Sequence, residues 1–140
     1  MDLVSILQIS IGPVILISGT GLLLLTMTNR LGRTIDRARE LSEEAETAPP
    51  GKKDTLQAQL DILWQRAGLI RLSIILASMS ALCGALLIAS LFLTALAKVS
   101  ADWLIIGLFL LCLLSLMVSL GMFIIEVNKS LEALRLELKK

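Results

Sequence analysis

The stretch from Leu3 to Met27 carries no charge, and a bilayer crossing takes about 20 mostly apolar residues in a helix. Yet it is threaded with Ser5, Gln8, Ser10, Gly12, Ser18, Gly19, Thr20, Gly21 and Thr26. A helix facing only lipid has no use for so many small and polar side chains. Such residues let helix backbones approach closely and let hydroxyls bond across an interface. The pattern is that of a membrane helix made to be packed on.

Two further stretches, Gly68 to Leu96 and Trp103 to Ile125, are also long and apolar enough to span. The first stretch is not read as a secretory signal: it is too long, it starts Met1-Asp2, and its basic residues follow it at Arg30 and Arg33. Orientation follows the distribution of Lys and Arg. Of the 13 basic residues, Lys98 alone lies in the second connection, so the N-terminus is expected outside and the C-terminus in the cytoplasm. Trp64 and Trp103 fall near span ends, where amphipathic rings prefer to lie. The net charge of +1 is a sum over two sides and points to no nucleic-acid partner. With no His and no Tyr, the chain lacks the commonest acid–base group and metal ligand, so no enzyme, metal or cofactor is expected. Cys83 and Cys112 lie within spans as small hydrophobes.

Leu56, Leu60, Leu63, Ala67 and Ile70 recur at alternating spacings of four and three, an apolar stripe at the helical period. Asp54 and Gln57 resemble a capping arrangement, which sets the start of this helix near Thr55. A weaker stripe of Leu31, Ile35, Ala38 and Leu41 precedes it, and Ala48-Pro49-Pro50-Gly51 reverses the chain between them. Val127, Leu131, Leu134 and Leu138 share a face of the tail. These stripes are expected to pack on one another or on neighbouring subunits, the alternative being that some lie on the membrane surface as basic amphipathic helices.

The expected fold is all-α: an integral membrane protein with three transmembrane helices and a cytoplasmic helical hairpin plus helical tail. The division is a first transmembrane helix over 1–27, hairpin over 28–66, second transmembrane helix over 67–97, external turn over 98–102, third transmembrane helix over 103–126 and tail over 127–140.

At 100° per residue, Ser5, Gly12, Gly19 and Thr26 form one line at seven-residue intervals, with Gln8 nearby; Ser10, Ser18, Gly21 and Thr28 cluster on roughly the opposite side. One side or both is expected to pack, and one of them is a candidate lining for a polar path, with Asn29 at its inner end. Pro13 cannot donate to the carbonyl of Ile9, so a kink or a water-accessible carbonyl is expected. On the third span Cys112, Ser115, Ser119, Met122 and Glu126 share a face. Glu126 is thus expected to turn inward and seek an arginine, with Arg71 first, then Arg30, and Arg33 at similar depth.

The segment IGPVILISGTGLLLLTMTNRLGRTIDRARELSEE, residues 11–44, resembles the opening of a family of small bacterial membrane proteins known as a domain of unknown function, and LISGTGLLLLTMTNRLGR is its most specific part. The resemblance implies three spans over nearly the whole chain in the bacterial plasma membrane. It implies no activity.

One protomer offers too little interior to hide two small-residue faces on its first helix, so a symmetric homo-oligomer in contact with membrane lipid is expected. Two functions remain open. One is a pore passing inorganic ions along an axis lined by the first helix. The other is a non-conducting scaffold or regulatory subunit that docks partners through its cytoplasmic helices.

Overall fold

The structure, a computed structural model, describes residues 2–139. Met1 and Lys140, the outermost residues of the first span and the tail in the division above, lie outside the described residues, as do the side chains of Leu136 and Glu137. The chain is all-α: α1 over Leu3–Thr47, α2 over Pro50–Ala97 and α3 over Asp102–Leu138. All three are long and apolar enough to cross a membrane, which suggests a multi-pass membrane protein. The chain divides into two compact units, Met1–Leu25 with Ile75–Ser119, and Thr26–Ile74 with Leu120–Lys140.

In the first unit, α1 turns Ile6, Ser10 and Thr20 inward, with Pro13 and Ile17 half-buried between them. These positions alternate at four and three residues, the periodicity of a helix seam. From α2 come Ala77, Ser80, Cys83, Gly84 and Leu87, and from α3 Cys112, Ser115 and Ser119. The hydroxyls here are satisfied in two ways. Ser10 and Thr20 each donate to the carbonyl four residues back, at 2.8 Å, which leaves α1 self-sufficient. Ser80 instead donates across to the carbonyl of Cys112 (2.9 Å), Cys112 Sγ donates back to the carbonyl of Ser80 (3.2 Å), and Ser115 donates to the carbonyl of Leu76 (2.7 Å). Such bonds need close backbones, and small residues at the contact permit them. A cavity of about 190 Å³ lies beside Pro13, lined by Gly12, Leu16, Gly84, Leu87 and Phe109 among others.

The turn between α2 and α3 belongs to this unit. Lys98 has φ of 54° and Val99 N–H donates to the carbonyl of Thr94. This is the six-residue closure of a helix end that usually places glycine in the left-handed position. Ala101 then accepts from Leu104 and Ile105, opening α3 with Asp102 in its first turn, where a carboxylate suits the helix dipole.

In the second unit, Leu41 and Ala45 of α1 pack with Leu56 and Leu63 of α2, flanked by Ala38, Ala48 and Leu60. The stripes of α1 and α2 therefore meet in a hairpin, with Ile35 left exposed, whereas the tail stripe Val127, Leu131, Leu134 and Leu138 is exposed in the protomer. Helix α2 begins at Pro50, earlier than the start near Thr55 read from the Asp54 arrangement. The reason is local: proline at the first helical position loses no needed donor, and the carbonyl of Pro49 takes the N–H groups of Lys52 and Lys53. Further along, Met27, Thr34, Ile70, Ser73 and Glu126 are buried.

Candidate functional site

The most unusual buried side chain of the second unit is Glu126, with no exposed surface. It follows Ser119 by seven residues on the inward line of α3, and the helical period carries it inward. A carboxylate taken out of water needs charge partners and hydrogen bonds. Two arginines supply both. Arg30 of α1 donates from Nε to Glu126 Oε2, and Arg66 of α2 donates from Nε to Oε1 at 3.3 Å. Arg66 also donates from Nη2 to Ser130 Oγ at 2.9 Å, and the Arg30 guanidinium lies 5.8 Å from the ring centroid of Phe123. The buried Thr34 satisfies its own hydroxyl by donating Oγ1 to the backbone carbonyl of Arg30 at 3.0 Å.

One carboxylate thus ties together all three helices of this unit, and two cations against one anion leave the cluster positive. Among the described residues no three His, Cys, Asp or Glu side chains come together. The chemistry of the cluster is charge pairing and donor presentation.

Of the four charges singled out at this depth, Arg30 and Glu126 meet. Arg33 and Arg71 are exposed, and neither makes an ion pair among the described residues. Arg71, ranked first from its depth, points away because it sits one position past Ile70 and is rotated 100° off the inward line. Arg66 was not a candidate, although it stands seven residues before Ser73 and fourteen before Ser80, on a face of α2 that is buried at both. That periodicity was the signal.

The α1 candidates fall otherwise. Gln8, Gly12, Gly19, Thr26 and Asn29 are exposed, and Ser5 and Pro13 half-buried. A Cβ added at Gly12 or Gly19 would meet nothing within 4 Å. The inward seam of α1 runs through Ile6, Ser10, Ile17 and Thr20, so the Ser5–Gly12–Gly19–Thr26 line lies one residue off it, toward the outside of the protomer. Of the opposite cluster Ser10 is buried, whereas Ser18, Gly21 and Thr28 are exposed.

Beside the arginine cluster, and within the same unit, lies a groove of about 1160 Å³. Ile62 and Leu63 of α2 form one wall, and Val127, Leu131 and Leu134 of α3 form the other.

The chain belongs to the DUF2721 family, described as protein of unknown function, whose sequence profile matches residues 10–136. No curated protein and no solved structure matches it.

Proposed function

We propose that this member of the DUF2721 family is a homo-oligomeric integral membrane protein that conducts ions along an axis lined by α1. The observation that supports this most is the outward exposure of Gln8, Gly12, Gly19, Thr26 and Asn29 on one helix. Within hydrocarbon an exposed amide needs a partner, and an uncovered glycine invites a neighbouring backbone. Further copies arranged with closed symmetry around α1 satisfy both. Gln8 then repeats as a ring of amides toward one mouth and Asn29 as a ring toward the other, and rings of this kind set selectivity. Arg30 shares Glu126 with Arg66, which leaves exposed Arg33 and Asp36 as the charges nearest the inner end.

The orientation in this reading is N-terminus outside and C-terminus in the cytoplasm of a bacterium, as Lys98 alone of the basic residues lies in the connection between the second and third spans. A cysteine at exposed Pro50, with Cys83 and Cys112 replaced by serine, is then shielded from an impermeant thiol reagent in intact cells and labelled after lysis. Labelling of intact cells reverses the orientation.

Purified protein in planar bilayers is expected to pass current, and Gln8→Leu to change its selectivity or conductance. Silence at every voltage, pH and divalent-ion condition rules out conduction, and an axis filled with interlocked apolar side chains would make the assembly a scaffold.

A further inference from the structure

The groove in the second unit has the length and the lining to take a further helix. Its wall on α2 runs from Thr55 to Arg66, about 16 Å at the helical rise of 1.5 Å per residue. Its walls are apolar and uncovered: Ile62, Leu131 and Leu134 are 49%, 66% and 51% exposed. Among the described residues Arg30, Arg37, Arg66 and Lys139 line it and no Asp or Glu does, with Arg37 already paired to Glu40 at 2.8 Å. Arg30 commits Nε alone to a described hydrogen bond, and Arg66 commits Nε and one terminal nitrogen. Each guanidinium has five N–H donors, so most of this donor capacity is available to an incoming anion.

We propose that this groove docks an acidic amphipathic helix of another protein, about three turns long, as the fourth helix of a local bundle. Its apolar face lies on Ile62, Leu131 and Leu134, in the helix-in-groove mode. Its carboxylates pair with the arginines and Lys139, an arrangement that planar guanidinium groups favour.

Two other occupants fit less well. A second copy of this chain offers no suitable helix. The tail carries Lys129, Arg135, Lys139 and Lys140 against Glu132 and Glu137, the same sign as the groove. The acidic run Glu40, Glu43, Glu44 and Glu46 belongs to a helix whose apolar Leu41 and Ala45 are already buried in the hairpin. A phospholipid is disfavoured by depth. The groove leads about 16 Å along α2 away from its apolar stretch, whereas the headgroup layer is only about 5–7 Å thick on each side. Docking of this helix rests on the apolar stretches being membrane spans and is independent of conduction.

The test uses the full chain in phosphatidylcholine nanodiscs and a fluorescein-labelled helical peptide of ~14 Leu and Glu residues, with a Leu/Lys peptide of the same apolar pattern as control. Fluorescence anisotropy should show saturable binding of one Leu/Glu peptide per protomer, weakening with added salt. The Leu/Lys peptide should bind roughly tenfold or more weaker, and so should the Leu/Glu peptide to the Leu131→Glu, Leu134→Glu double variant. Both leucines are exposed, and unchanged circular dichroism and thermal midpoint verify that the variant folds. Equal binding of the two peptides, or binding that survives the double variant, overturns the proposal. Loss of peptide binding when phosphatidylglycerol is added to the disc assigns the groove to anionic lipid and overturns it too. An absence of current in bilayers leaves the peptide result untouched, and failure of peptide binding leaves conduction untouched.

Discussion

Glu126→Gln destabilises the protein by about 3 kcal/mol, seen as a lowered thermal midpoint in mild detergent. Removing one member of a buried ion pair strands the others, and the usual loss is ~3–5 kcal/mol. The low end applies because Arg30 and Arg66 retain 30% and 17% side-chain exposure, so solvent screens part of the stranded charge. In glutamine the neutral amide still accepts from one arginine, but two guanidinium groups then face each other with no counter-charge. The partners are identified by double-mutant cycles. Adding Arg66→Gln or Arg30→Gln to Glu126→Gln should restore part of the loss, with a coupling of ~1–3 kcal/mol. Arg71→Gln should be additive, because Arg71 is exposed and outside the cluster. Unchanged stability in Glu126→Gln would mean that water reaches the carboxylate and that the cluster does not hold the three helices together.

The second large effect separates two glycines that sequence alone makes look alike. A Cβ at Gly84 would lie 3.2 Å from Ile17 Cγ1 and 3.8 Å from Cys112 Sγ, so α1, α2 and α3 converge on the bare backbone. Gly84→Ala requires the Ile17 side chain, from Cγ1 outward, to give by a few tenths of an ångström. Gly84→Leu forces a branched side chain into the contact, and overpacking of this kind costs ~1–3 kcal/mol. The upper end is expected, with a lower thermal midpoint of the protomer. Gly19→Leu has open space at Cβ, so it leaves protomer stability unchanged and, in the oligomeric reading, weakens the assembly. Light scattering after size exclusion in mild detergent reads the mass. An unchanged oligomer carrying leucine at both Gly12 and Gly19 would mean that this line faces lipid.

Length and apolar composition were enough to determine three long helices, because in hydrocarbon a helix satisfies its own backbone without reference to anything else. The reversal at Pro49-Pro50 was equally local, since proline dictates where a helix stops and starts. The inward direction of Glu126 was legible too, from its place on the line of Cys112, Ser115 and Ser119, as a side chain's direction follows from the helical period alone.

What the sequence could not determine was which residues from different helices stand at one level. Arg30, Arg66 and Glu126 are brought together by the register and rotation of three helices. Those are set by the summed packing of many contacts and not by any residue's own preference. Arg71 suggests itself by depth alone; the helical period rotates it away from the line of Arg66, Ser73 and Ser80, and packing decides that this line is the inward one. The same holds for α1. Its small residues were visible on two sides, but the seam through Ile6, Ser10, Ile17 and Thr20 was selected by what α2 and α3 present to it, and that choice left Gly12 and Gly19 outside. The groove lined by Arg30, Arg37, Arg66 and Lys139 has no local signature at all, because it is the space that three packed helices leave unfilled.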